Sequence, residues 1–180
     1  MARTTARTMA RFPAVIDVLL SACDRAYDRK SWHGTNLRGA LRGLSAKEAS
    51  WRPGKRRHNI WEIAVHAAYW KYVVIRSLTG APRGSFARKG SNWFERPGGS
   101  EAEWKADVAL LDATHRSLRD AIARIDPAAL DRRLPGRKTS RTALVTGAAA
   151  HDLYHAGQVQ LIKRMMPRPR TPGGRPGRKR

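Results

Sequence analysis

The sequence has 180 residues, enough for one domain of ordinary size, and 41% of them are apolar, enough to bury a core without staples. One cysteine, Cys23, leaves no disulfide framework, and no apolar run approaches the ~20 residues that span a bilayer, so disulfide-stapled and helical membrane classes are both excluded. The formal net charge is +22, half of it in the ends: three charges in residues 1–11 and eight in residues 163–180, neither stretch holding an acid.

Residues 1–11, MARTTARTMAR, read as a basic extension with no signal-peptide core behind it, so the expected location is the cytoplasm. The next stretch, FPAVIDVLLSACDRAYDR, places Phe12, Val15, Leu19, Cys23 and Tyr27 near the 3.6-residue period of an amphipathic helix, with Cys23 an inert core thiol. Gly34 marks a bend in SWHGTNLRGALRGLS before Leu37, Leu41 and Leu44 resume the pattern. The segment AKEASWRPGKRR then reads as a connection, with a turn at Pro53-Gly54.

A long helix is expected from Asn59, its cap, to Leu78, ended by Gly80 and Pro82. Ile60, Ile63, Ala67, Trp70, Val74 and Leu78 share its inward face, and His66 falls on the flank of that face. Residues 81–100 combine Gly, Ser and Pro with Phe86, Trp93 and Phe94, which fits either a cover over one end of the core or a lid. Ser100 and Glu103 form a capping box for a third long helix, striped by Trp104, Val108, Leu111, His115, Leu118, Ile122 and Ile125 and closed by Asp126-Pro127. A fourth starts near Ser140, with Leu144, Ala148, His151, His155, Val159, Ile162 and Met166 on one face. The last run, residues 167–180, has too much proline and glycine for helix or strand and reads as a disordered basic tail that attracts polyanions weakly, without reading sequence.

No stretch alternates with period two, so the expected fold is all-α: a four-helix bundle over residues 12–166, with residues 81–100 allowing a crossover. Within it, His151 and His155 lie one turn apart in the middle of the inward stripe. Two buried imidazoles need two hydrogen bonds or one shared ligand, and neutral imidazole suits divalent zinc, nickel, cobalt or iron. His66, from a facing helix, is the best third ligand, which would leave an open position for chemistry. Such a pair also arises in helices as ordinary hydrogen-bonded core residues.

Three stretches resemble the DinB-like proteins, a damage-inducible family of metal-dependent enzymes: SWHGTNL, HNIWEIAVHAAYWKYVVIRSLTG and TALVTGAAAHDLYHAGQVQLIKR. The resemblance covers roughly residues 12–166 and implies a four-helix bundle with one divalent metal held by three histidines. The family's first ligand, in the helix entered by a Trp-Glu pair, matches His66, and its final HxxxH pair matches His151 and His155. Relatives transfer or cleave groups on low-molecular-weight thiols or open small organic substrates, and they often self-associate. These implications set the expectation of a thiol-dependent transferase or hydrolase acting on a small molecule, as a homodimer, with zinc or nickel ahead of iron, cobalt or manganese. The alternative is a non-enzymatic bundle whose basic ends bind nucleic acid.

Around the three histidines, Glu62 is placed to accept the second N–H of His66, and His115 is a further supporting residue or a hydrogen-bonded core ring. His33 and Tyr154 are the candidate substrate-binding or catalytic groups, His33 as a base and Tyr154 as a donor to a substrate oxygen. Asp152 is expected on the surface or behind the ligands, and His58 at the exposed entry of its helix. Leu20, Tyr72 and Val73, off the central stripes, are the candidate pairing faces.

Overall fold

Side-chain caps set where the three longest helices begin. In the computed structural model, which describes residues 14–136 and 138–167, the helices are α1 (Val15–Tyr27), α2 (Leu37–Ala40), α3 (Ala46–Ser50), α4 (Ile60–Thr79), α5 (Glu101–Ala123) and α6 (Arg141–Met165). Asn59 Oδ1 accepts the Glu62 N–H at 2.8 Å while the Glu62 carboxylate accepts the Asn59 N–H, closing a capping box on α4. Ser100 and Glu103 do the same for α5, and Ser140 Oγ caps α6. Gly80, at φ 69°, ends α4 in the left-handed conformation that glycine adopts without steric cost.

Three boundaries differ from expectation, the first being α2, which ends at Ala40 before Leu41 and Leu44. AKEAS, read as part of a connection, is the helix α3, because Ser45 and Glu48 form a capping box of their own. The third long helix stops at Ala123, and Asp126 instead caps a 3-10 turn over Pro127–Ala129. The basic extension, Phe12 and the tail from residue 168 lie outside the described residues.

Contacts between helices fix their directions. Trp61 and Trp104, near the starts of α4 and α5, meet edge to face with centroids 5.4 Å apart, so these two helices run parallel. His66 meets His155 and His151, and Lys71 meets Asp152, so α6 runs antiparallel to α4. Asp24 pairs with Arg119 and Tyr27 with Asp112, which sets α1 antiparallel to α5. The bundle is therefore up-down-down-up, and residues 81–100 must return along α4, a helix of roughly 30 Å. That return is the crossover.

The interior divides into two apolar clusters. One holds Leu19, Cys23, Val74, Leu118, Ile122 and Val145; the other holds Trp61, Ile63, Phe94, Leu111, Ala156 and Val159. Between them each helix contributes a buried polar residue: Lys71 on α4, His115 on α5 and Asp152 on α6. Tyr27 of α1 joins this layer, its ring stacked on His115 at 4.0 Å and facing Lys71 Nζ at 4.8 Å.

The buried face of α6 is turned from the expected stripe. Val145, Ala149, Asp152, His155, Val159 and Ile162 are buried, while Leu144, Ala148 and His151 are half-buried at its edge. Asp152 draws the helix round, because its carboxylate reaches Lys71 in the interior and leaves water only if that partner is held. Its expected place at the surface is thus corrected to full burial.

Candidate metal centre

The three histidines converge from two antiparallel helices. His66 Nε2 lies 3.3 Å from His151 Nε2, which lies 3.0 Å from His155 Nε2. The outer nitrogens of two rings are already committed. His66 Nδ1 is 2.8 Å from the Asn92 carbonyl and His155 Nδ1 is 2.7 Å from Gln158 Oε1; both oxygens only accept, so both Nδ1 atoms carry the proton. Nε2 of His66 and of His155 are then lone pairs, both turned toward Nε2 of His151. One proton on His151 cannot serve both.

Burial keeps the rings neutral. It lowers His66 against the opposing pull of the Asn92 carbonyl. It takes His151 down to about 3, helped by His155, His66 and Lys71, and His155 down to about 4 despite the bond to Gln158. Neutral rings with convergent lone pairs suit a cation. Nitrogens at ~2.0–2.1 Å from one tetrahedral ion would stand about 3.3 Å apart, close to the observed spacings.

The crossover supplies the support for His66. Asn92, at φ 59°, offers its carbonyl to His66 and its side-chain oxygen to Trp70 Nε1 at 2.9 Å. The Trp93 ring stacks on His66 at 3.8 Å and on His58 at 3.6 Å, so one indole is sandwiched between two imidazoles. The aromatics of this segment divide their work. Phe86 and Phe94 pack on Tyr69 over the core, and Trp93 lies on the histidine cluster.

Glu62 does not take the second N–H of His66. As the third residue of α4 it reaches back to its own cap, where it accepts from Arg52 at 2.5 Å, His58 Nδ1 at 3.0 Å and the Arg96 N–H at 3.3 Å. Burial raises its pKa, but these bonds outweigh burial and hold it below the usual carboxylate range. The Asn92 carbonyl fills the role expected of Glu62.

His115 is fully buried, but its partners are Tyr27 and Asp24 Oδ1, 3.4 Å from its Nε2, and neither ring nitrogen completes a hydrogen bond among the described residues. It belongs to the polar layer and touches none of the three histidines. His33 is exposed beside Trp32, itself 93% exposed, and is not brought to the cluster. Tyr154 is. Its ring lies 5.1 Å from that of His155, and it is 64% exposed on the wall of a cavity of about 730 Å³ that His155, Trp93 and Gln158 also line. A smaller cavity of about 180 Å³ opens against His151, between Trp70, Lys71, Val74 and Asp152.

Comparison with known families gives a match to the DinB superfamily over residues 30–159, most of the chain and all three histidines. The chain belongs to the DinB superfamily. Neither the comparison with curated proteins nor that with solved structures found a match. The DinB chain also has, among its described residues, no helix long and apolar enough to cross a membrane.

The parts played by Lys71, Asn92 and Gln158 were not expected from the sequence. Lys71 did leave a signal: eleven residues on from Ile60 at about 100° each, it falls on the inward face of its helix. Asn92 acts through its backbone carbonyl, which no side-chain pattern can announce.

Proposed function

We propose that this DinB protein is a metal-dependent enzyme in which His66, His151 and His155 hold one divalent ion, zinc or nickel, for thiol-dependent transfer or hydrolysis on a small molecule in the cytoplasm. The observation that carries this reading is the meeting of three Nε2 atoms within hydrogen-bonding distance when two of the rings have their protons on Nδ1. A divalent ion bound there would supply a Lewis acid that makes water or a thiol nucleophilic near neutral pH.

The chain's own residues supply the rest. Asn92 and Gln158 hold two rings in the tautomer that presents Nε2, and Trp93 fixes the plane of His66 from one side. Tyr154, on the cavity wall beside His155, donates to a substrate oxygen. No role is assigned to His33.

The experiment compares chelated protein with protein reloaded with zinc or nickel, assayed for conjugation of a small thiol to an electrophile and for hydrolysis of small amides. Activity should return with the ion in the wild type and stay absent in His155→Ala. Equal turnover with and without the ion would remove the reading.

A further inference from the structure

The large cavity beside His155 has two unlike halves. Its apolar wall is made by Ile63, Trp93, Leu161, Ile162 and Met165. Its other wall is the turn from Pro53 to His58, which brings Lys55, Arg56 and Arg57 to the same space. Among the described residues no carboxylate lines the cavity and none pairs with these three cations.

The turn is anchored. The Arg57 N–H donates to the Gly54 carbonyl at 3.2 Å, and the Arg52 guanidinium donates to the Arg57 carbonyl while also pairing with buried Glu62 at 2.5 Å. Arg56 is held at φ 61°, a left-handed conformation that residues with a Cβ rarely adopt. Like charges gathered on a strained, tethered turn repel one another, and a bound anion relieves that repulsion. At about 730 Å³ the cavity has the size of small-molecule sites, which are concave, largely apolar and oriented by a few polar groups.

We propose that this cavity binds an anionic, partly apolar small molecule, with its acidic group on Lys55, Arg56 and Arg57 and its apolar body along Trp93, Leu161 and Met165, as the substrate class of the histidine site. The assignment rests on the reading of that site as the reaction centre, because His155 and Tyr154 line the same space. The arrangement selects for charge at one end and admits apolar bodies of differing shape at the other.

Calorimetric titration of the purified full-length protein with octanoate, octan-1-ol and octylamine tests it. Octanoate should bind about tenfold or more tighter than octanol, octylamine weakest, and the octanoate advantage should shrink as salt is raised. The variant K55Q/R56Q/R57Q should lose that advantage while keeping its octanol affinity and its ion content. A control that removes three exposed cations elsewhere, K30Q/K47Q/R116Q, should keep the advantage, which separates a local site from the net charge of +22. Equal binding of octanoate and octanol by the wild type overturns the proposal. So does undiminished octanoate binding in K55Q/R56Q/R57Q, the result expected of a carboxylate held by the ion alone. An octanoate preference in protein that takes up no ion would support the anion site while contradicting the metal reading, so the two fail separately.

Discussion

Lys71 and Asp152 are 3% and 2% exposed and form an ion pair inside the bundle, with Asp152 next in sequence to the proposed ligand His151. Burial raises the Asp152 pKa and outweighs the pull of Lys71, so the carboxylate depends on that single partner. Lys71→Met should therefore cost about 3–5 kcal/mol in denaturant unfolding, whereas the double change Lys71→Met with Asp152→Leu should recover most of it. If both variants are equally unstable, the loss comes from packing and not from a stranded charge. Burial lowers the pKa of four histidines, and the pH dependence they share is tested most cleanly at His115, which is not a proposed ligand. Burial lowers its pKa from 6.5, so below pH 6.5 the unfolded chain takes up a proton that the folded ring resists. Its contribution to stability is present above pH 6.5 and is lost as pH falls from there toward the lower folded value; His115→Phe should reduce the slope of stability between pH 6.5 and 4 and leave the share of the other three rings. Gln158→Ala, which frees Nδ1 of His155, should weaken ion binding by about 10–100-fold in competition with a chelator. The meeting of the three histidines was legible in the sequence because two of them share a helix and the third follows a recognisable Trp-Glu pair. Glu62 was misplaced because its nearness to His66 in sequence is outweighed by the pull of its own helix cap.

Among the elements, the crossover over residues 81–100 is where site and fold meet. Asp107, 2% exposed, accepts from Trp61 Nε1 at 2.7 Å, Arg88 Nε at 2.6 Å and Arg96 Nε at 2.8 Å, joining α4, α5 and the crossover. Asn59 Nδ2 adds a bond to the Arg96 carbonyl at 2.7 Å. Asp107→Ala should therefore cost about 3–5 kcal/mol and also weaken ion binding, since the segment it anchors carries Asn92 and Trp93 against His66. Loss of stability with unchanged ion affinity would show that the crossover does not position His66. The starts of α4, α5 and α6 were readable because caps are local chemistry, a side chain bonding an amide three residues on, whereas the equivalent box of α3 lay in a stretch too short to show a helical stripe. The rotation of α6 was not readable from apolar spacing, because a polar residue, Asp152, sits at the centre of the buried face. Lys71 and Asp107 hid in the same way.

For the whole molecule, two properties have separate seats: the histidine cluster inside the bundle, and the charge concentrated toward the ends of the chain. His155→Ala should lose the ion and leave salt-sensitive polyanion binding nearly intact. Deleting residues 167–180, which hold six basic side chains and none of the proposed ligands, should do the reverse. A deletion that removes the ion from a folded chain would place the chemistry elsewhere. Pairing through Leu20, Tyr72 and Val73 is less favoured than the sequence suggested, since all three are half-buried and Tyr72 packs under Phe86. Val15, Val18, Leu161 and Met165 are the more exposed apolar positions, and sedimentation at several concentrations should detect any dimer they support.

Everything proposed for the site requires that the three rings share one ion. Elemental analysis of wild type and His151→Ala, each purified without added metal and again after loading with zinc or nickel, tests it most directly. About one divalent ion per wild-type chain is expected and far less in the variant; a wild type that stays near zero after loading would rule out a shared ion.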